Sequence, residues 1–447
     1  MPAQVPTGHA VVGTRAGSGT PTAVGLFFVD LGTGGVTSVT GLPAALTSTV
    51  QSHGVYSVAL RCSDDAVIAA NSGAGAINVY VMHLNGSAVV STDTIYVGTP
   101  VSGSGGARVV VLPNDNIYVR GLSQFGFGGP LASSGHGIID VSTSPATLVA
   151  LPSITGYPTA SGLLGGMALD ATGSRIYQLW STPPNAVVRY VDLASFDLQT
   201  LTWCTVASWP NQSAVGLAVD DDGTVHVSAS QYGTQNHFVH SLHVNGCTNT
   251  NGITTVQSSI PRNTWAFDMD RSRGDFVLGT TNGGIVAGNT VSRVDQFTGQ
   301  VTILTGGPGW GRIGPGGVAV NNAMKSYGTA SDGLNRYSFD NFPNPDGQPV
   351  IGNSNFKFTM SSQPGTAQAS LLGLSLGRGC TQIFGIKFLL APASTLLFSV
   401  PSAVGSTYSL QIPPIPALIG FKFTAQSLHI ESTGLFAASR GLSITIS

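Results

Sequence analysis

One pattern recurs six times along this chain: a short apolar strand, a polar turn, then a second strand with alternating side chains. The copies read SVALRCSDDAVIAAN from Ser57, ARVVVLPNDNIYVRG from Ala107, GMALDATGSRIYQLW from Gly166, GLAVDDDGTVHVSAS from Gly216, AFDMDRSRGDFVLGT from Ala266 and GVAVNNAMKSYGTAS from Gly317. Their turn positions Arg61, Val111, Asp170, Asp220, Asp270 and Asn321 lie 50, 59, 50, 50 and 51 residues apart. A period of this size marks stacked supersecondary units, none of which buries its apolar face alone.

Two more strand-like runs follow the hairpins. INVYVMHL and AVVSTDTIYV follow the hairpin from Ser57, VVRYVDL and LQTLTWCTV the one from Gly166, and VSRVDQFTG and QVTILTG the one from Ala266. Four strands per repeat predict an all-β chain folded as a β-propeller. The small residues of GMA, GLA and GVA suit inner strands where blades converge. About three strands precede Ser57, and the last unit, Gly317 to about Asn341, also reads as three. Seven blades are expected on that count; six follow if the N-terminal strands complete the last blade.

The period stops at the Pro-, Gly- and Asn-rich stretch NFPNPDGQPVIGN, which places a boundary near Pro345. Residues 1–345 are therefore assigned to the propeller and 346–447 to a small C-terminal β-sandwich of about seven strands. Three of the four lysines, Lys357, Lys387 and Lys422, sit between apolar neighbours. That pattern turns the apolar side chains inward and leaves lysine on the solvent face, where it discourages edge pairing.

Charged residues make up only 9% of the chain, against about a quarter in ordinary soluble proteins. Glutamate occurs once, at Glu431. Net charge is -2 with no basic run, which argues against nucleic-acid binding. No apolar run reaches the ~18 residues of a membrane-spanning helix. A surface of Ser, Thr, Asn and Gly is the habit of exported bacterial proteins. The expectation is therefore an extracellular or cell-surface protein whose signal peptide is absent from this chain; its first residues, MPAQVPTGHAVVG, lack the features of one.

Chemistry-bearing residues are few. Asp220, Asp221 and Asp222 crowd one hairpin turn, where Asp and Gly serve because they tolerate left-handed backbone angles. The alternative there, and at Asp268, Asp270 and Asp275, is a calcium site, although neither group matches the EF-hand loop. No cofactor is otherwise expected. If Thr224–Ser230 pairs with His237–His243, His226 could lie across from His240 as a metal or proton-transfer pair; the alternative is two polar residues on a half-exposed blade. His237 and His243 share one face of their strand. The loop GGPGWGRIGPGG offers Trp310 and Arg312 as contact anchors. Cys204 and Cys247 fall in neighbouring repeats and would pair as a disulfide in an oxidising compartment; buried free thiols are the alternative. The Gly-rich stretches open no helix.

The motif G-[LM]-A-[LV]-D-x-x-G, as in Gly166–Gly173 and Gly216–Gly223, resembles NHL-type and virginiamycin-B-lyase-like propellers, and more loosely the gluconolactonase group. The resemblance implies the architecture. Its enzymes use glutamate at the metal or beside a histidine, and the propeller repeats here contain none. Leu410, Ile412, Pro413, Pro416, Leu418, Gly420, Phe423 and Gln426 resemble a C-terminal module appended to many secreted bacterial proteins, which implies export. The reading expected from these features is a non-enzymatic secreted structural or binding protein that self-assembles into filaments or a surface layer. A glycan- or peptide-binding propeller and an Asp/His propeller lyase or hydrolase are the alternatives.

Overall fold

In the computed structural model the described residues are 5–446 without 7, 18–22, 62–65, 102, 104, 113–114, 124–126, 133–134, 152–162, 170–174, 183–184, 193–203, 211, 220–223, 232–235, 246–247, 259–263, 271–274, 281–288, 308–309, 323, 328–337, 340–348, 362–366, 377, 384–385, 391, 401–406, 420, 432–435 and 439–440. The chain is all-β and carries a β-propeller. It divides into two compact units, Met1–Asp270 with Gly274–Asn321, and Asn322–Ser447.

The first unit contains six four-stranded antiparallel blades among its described residues. Blade 1 runs outward through Gly54–Leu60, Val67–Gly73, Ile77–Asn85 and Ala88–Pro100. Blade 2 is Gly105–Val111, Ile117–Ser123, His136–Asp140 and Thr147–Ala150. Blade 3 is Leu163–Leu169, Arg175–Thr182, Asn185–Asp192 and Cys204–Trp209. Blade 4 is Gln212–Val219, Thr224–Gln231, His237–Asn245 and Thr248–Ser258. Blade 5 is Thr264–Asp270, Asp275–Thr280, Asn289–Asp295 and Val301–Gly307.

Blade 6 is assembled from both ends of the unit. Its inner strand Arg312–Val320 pairs with His9–Arg15 in the register Ala10↔Val320, Val11↔Ala319 and Val12↔Val318, and Gly25–Asp30 and Val36–Ser38 follow outward. Each inner strand lies against the next, and Arg312–Val320 lies against both Thr264–Asp270 and Gly54–Leu60, which closes the ring. Among the described residues the count is therefore six, not the seven expected first. The open edge of Arg312–Val320 needs a partner for its backbone groups, and the N-terminal strand supplies it.

Alternation along the inner strands sets what each blade buries. Val58, Val109, Met167, Leu217, Phe267 and Val318 each join the core shared with the preceding blade. The residues just before them are Ser57, Arg108, Gly166, Gly216, Ala266 and Gly317, small except for Arg108. Smallness there is steric: a methyl group at Gly166 would collide with Leu217, and one at Gly216 with Phe267, each on the next blade. This register corrects the sequence alignment by one residue in the second copy, where Arg108 rather than Ala107 stands in the place of Ser57.

In the second unit Met324–Tyr327, Gly441–Thr445, Lys422–Glu431, Ala367–Ser375 and Leu396–Val400 form one antiparallel sheet in that order. Lys357–Ser361 pairs with Thr407–Ser409 in another. Phe356, Phe358, Leu372, Ile412, Phe423, Ala425, Leu442 and Ile444 share one core. Phe356 and Phe358 are buried on either side of the half-buried Lys357, as the alternation requires. The division falls at Asn321, upstream of Pro345, because Met324–Tyr327 makes its ladder with Gly441–Thr445.

Asp268 joins two blades. Its Oδ2 accepts the Val320 backbone N–H at 2.7 Å and its Oδ1 that of Met269 at 2.8 Å. Asp268→Ala should therefore cost about 1–3 kcal/mol, because a half-buried backbone donor loses an ionised acceptor. Asp275→Ala, whose carboxylate faces the partly exposed Arg293 guanidinium at 3.5 Å, should cost less than about 1 kcal/mol. Urea unfolding of both variants checks the difference.

Candidate functional site

The histidines of blade 4 do pair as strands, but not with each other. Thr224–Ser230 meets His237–His243 in the register His226↔Ser241 and Val227↔His240. His226 and His240 therefore point to opposite faces, which corrects the expectation that they lie across from one another. A pairing offset by a single residue separates them completely.

Each imidazole is held by neutral partners. His226 Nδ1 lies 2.8 Å from Ser241 Oγ, and its ring packs 5.0 Å from that of Phe276. His240 Nε2 donates to Gln212 Oε1 at 2.6 Å, so the neutral ring accepts the Thr255 hydroxyl at Nδ1, 2.9 Å away. Its ring stacks on Trp209 at 4.9 Å and 10°. His237 is clasped between Ser228 and Ser258 hydroxyls at 2.9 and 2.6 Å. Burial, which disfavours the cation, pushes His240 down to about 4. The same burial, helped by neighbouring His240, pushes His237 down to about 4. Rings held neutral in this way are poor proton relays near pH 7.

The carboxylate candidates divide. Asp220, Asp221 and Asp222 lie outside the described residues. Asp268 is committed to the Val320 and Met269 amides, and Asp270 is buried. Among the described residues no group of three or more His, Cys, Asp or Glu could hold a metal ion. Cys247 also lies outside the described residues, so the Cys204–Cys247 pairing stays an expectation.

Trp310 and Arg312 take different roles. Trp310 is half-buried, its ring 5.0 Å from that of Phe27, and its carbonyl accepts the Asn289 side-chain amide at 2.7 Å. It packs blade 5 onto blade 6. Arg312 opens the inner strand of blade 6 and pairs across it with Arg15. The Arg15 guanidinium lies 5.7 Å from the centre of the Tyr56 ring, within cation–π range. Burial lowers the Arg15 pKa, Tyr56 raises it, and the Arg312 charge lowers it further. Arg312 thus belongs to a cationic and aromatic group on blades 1 and 6 that also draws in Arg15 and Tyr56. Neither was singled out from the sequence. The available signal was an arginine ending HAVVGTR and a tyrosine within GVYSVAL, two runs made mostly of apolar and small residues.

No family model matches the chain, and no curated protein matches it. Solved structures similar to it include a Lactobacillus plantarum protein, 13% identical with a TM-score of 0.40, covering 70% of this chain and 98% of that one. The Swd1 β-propeller domain of Myceliophteria thermophila is 12% identical with a TM-score of 0.39, covering 73% and 95%. TolB from Acinetobacter baumannii is 9% identical with a TM-score of 0.29, covering 92% and 84%. The propeller assignment rests on the closed ring of blades itself.

Protonation of the buried histidines gives a pH signature. Both folded-state values lie near 4, below the ordinary 6.5, so the unfolded chain binds the extra protons in that interval. The stability these two histidines contribute should be fully present above about pH 6.5, fall as pH drops towards 4, and level off below it. Each histidine contributes at most about 3 kcal/mol to that fall. Calorimetry from pH 7.5 to 4 should show the loss, and His240→Gln should flatten it.

Proposed function

We propose that the protein is a non-enzymatic structural component of the bacterial cell exterior, and that it associates with further copies of itself through its second unit. The observation that carries this reading is the strand Leu396–Val400. It ends the larger sheet of that unit, paired on one side with Ala367–Ser375 and on no other among the described residues. Leu396 and Leu397 are 63% and 52% exposed. The strand reads LLFSV, with no charge, proline or glycine to blunt its edge. The register places exposed Leu376 and Phe421 at the same end of the sheet as Leu396.

A second copy is the occupant that fits. Two such edges can pair antiparallel about a twofold axis, and an uncharged segment meets no repulsion from its own copy. The charge-poor composition and the C-terminal pattern from Leu410 to Gln426 support export. The neutral, hydrogen-bonded His237 and His240 of blade 4 support a structural rather than a catalytic use of its polar residues.

Sedimentation and electron microscopy of the purified protein across a dilution series should show dimers joined through this edge, and filaments or sheets where a second contact joins the dimers. Leu396→Lys with Leu397→Lys should reduce assembly at least tenfold in concentration while leaving the fold intact by circular dichroism. Monomers at every concentration, or unchanged assembly of the double variant, would overturn the reading.

A further inference from the structure

Arg108 is the one large residue at an inner-strand position that is otherwise Ser, Ala or Gly. The alternation that sends Val109 into the core with blade 1 turns Arg108 out of that core. Its guanidinium then reaches past blade 1 towards blade 6. A methyl group at Gly316 would collide with Arg108 Nη1 and come within 3.2 Å of Ser57 Cβ. The absence of a side chain at Gly316, whose φ is +76°, is what makes room for the charge. Gly106 does the same for Tyr56, because a methyl group there would collide with the ring.

The charge is buried and poorly compensated. Arg108 is 3% exposed, and its Nε and Nη2 make no hydrogen bond among the described residues; nor does the buried Ser57 hydroxyl. The guanidinium carbon lies 5.9 Å from the centre of the Tyr56 ring, whose other cationic neighbour is Arg15. Burial pushes the Arg108 pKa down to about 10, Tyr56 raises it, and the Arg15 charge lowers it further. The three inner strands that converge here, Gly54–Leu60, Gly105–Val111 and Arg312–Val320, contain no Asp or Glu. Buried charge without a counter-ion is costly, and guanidinium N–H groups match the oxygens of carboxylates, sulfates and phosphates.

We infer that the inner strands of blades 1, 2 and 6 form an oxyanion-binding site, in which Arg108 and Ser57 donate hydrogen bonds and Arg15 and Arg312 supply further positive charge. The ligand is a small oxyanion or the anionic end group of a larger molecule. Tyr56 forms the aromatic wall between Arg15 and Arg108. This site is independent of the edge strand that supports self-association.

The test is titration of the purified full-length protein with sodium acetate, sulfate and phosphate, each balanced with chloride to constant ionic strength. Calorimetry should show saturable binding of one anion per chain and a rise in melting temperature for at least one of the three. Response to acetate alone assigns a carboxylate group; response to sulfate or phosphate assigns a tetrahedral one. Arg108→Met should abolish the saturable response and, without added oxyanion, melt no lower than the wild type, because an unpaired buried charge is gone. Ser57→Ala and Arg312→Gln, which leave Arg108 in place, should each weaken binding about three- to a hundredfold. They carry the test if Arg108→Met does not fold. The site is refuted if none of the anions acts beyond chloride, or if the variants bind like the wild type.

Discussion

The pairing of Arg312–Val320 with His9–Arg15 holds everything else in place. A propeller is a ring of sheets, each burying one face against its neighbour, and an unclosed ring would expose two faces at once. The N-terminal strand closes it by burying Ala10 and Val12 with blade 5 residues and Val11 with blade 1 residues. The same strand carries Arg15 to the end where it meets Arg312 and Tyr56. Closure and the cationic group are therefore consequences of one register.

Much of the fold was legible in the sequence, because the 50-residue spacing and the alternation in each hairpin are direct images of blade geometry. What the spacing could not decide was which strand completes the last blade. GVAVNNAMKSYGTAS looks like another inner hairpin, yet Gly317–Val320 belongs to the propeller and Met324–Tyr327 to the second unit. Local pattern gives strand character, while partner choice depends on which distant edge is open. The two apolar segments are separated by only a few residues and differ in nothing that alternation detects.

The site was less legible, and for a related reason. In strands a shift of one residue exchanges the faces. The second repeat was aligned one residue out, which put Arg108 in line with Val58 and hid it among core positions. In blade 4 the same sensitivity worked the other way: His226 and His240 looked opposed, and a register of His226↔Ser241 set them on opposite faces. The blade 4 histidines were read as unusual from the sequence, and Arg108 was not. The partners of these residues were not legible, because pairing register is fixed by packing across blades rather than by the strand's own sequence.

A chain with so few charges makes the placement of each one informative. The buried histidines of blade 4 show how this fold accommodates a titratable group in its interior: hydroxyl and amide partners hold the neutral ring, and the proton is refused. Asp268 shows the other solution, an ionised group bonded to two backbone amides. Arg108 follows neither. A guanidinium does not shed its charge near neutral pH, its Nε and Nη2 have no acceptor among the described residues, and glycine at 316 leaves the space that Arg108 Nη1 fills. If structure alone were served there, a small residue like those of the other five inner strands would fit with less cost. The departure of one blade from the rule its neighbours obey is the reason to look for what binds it.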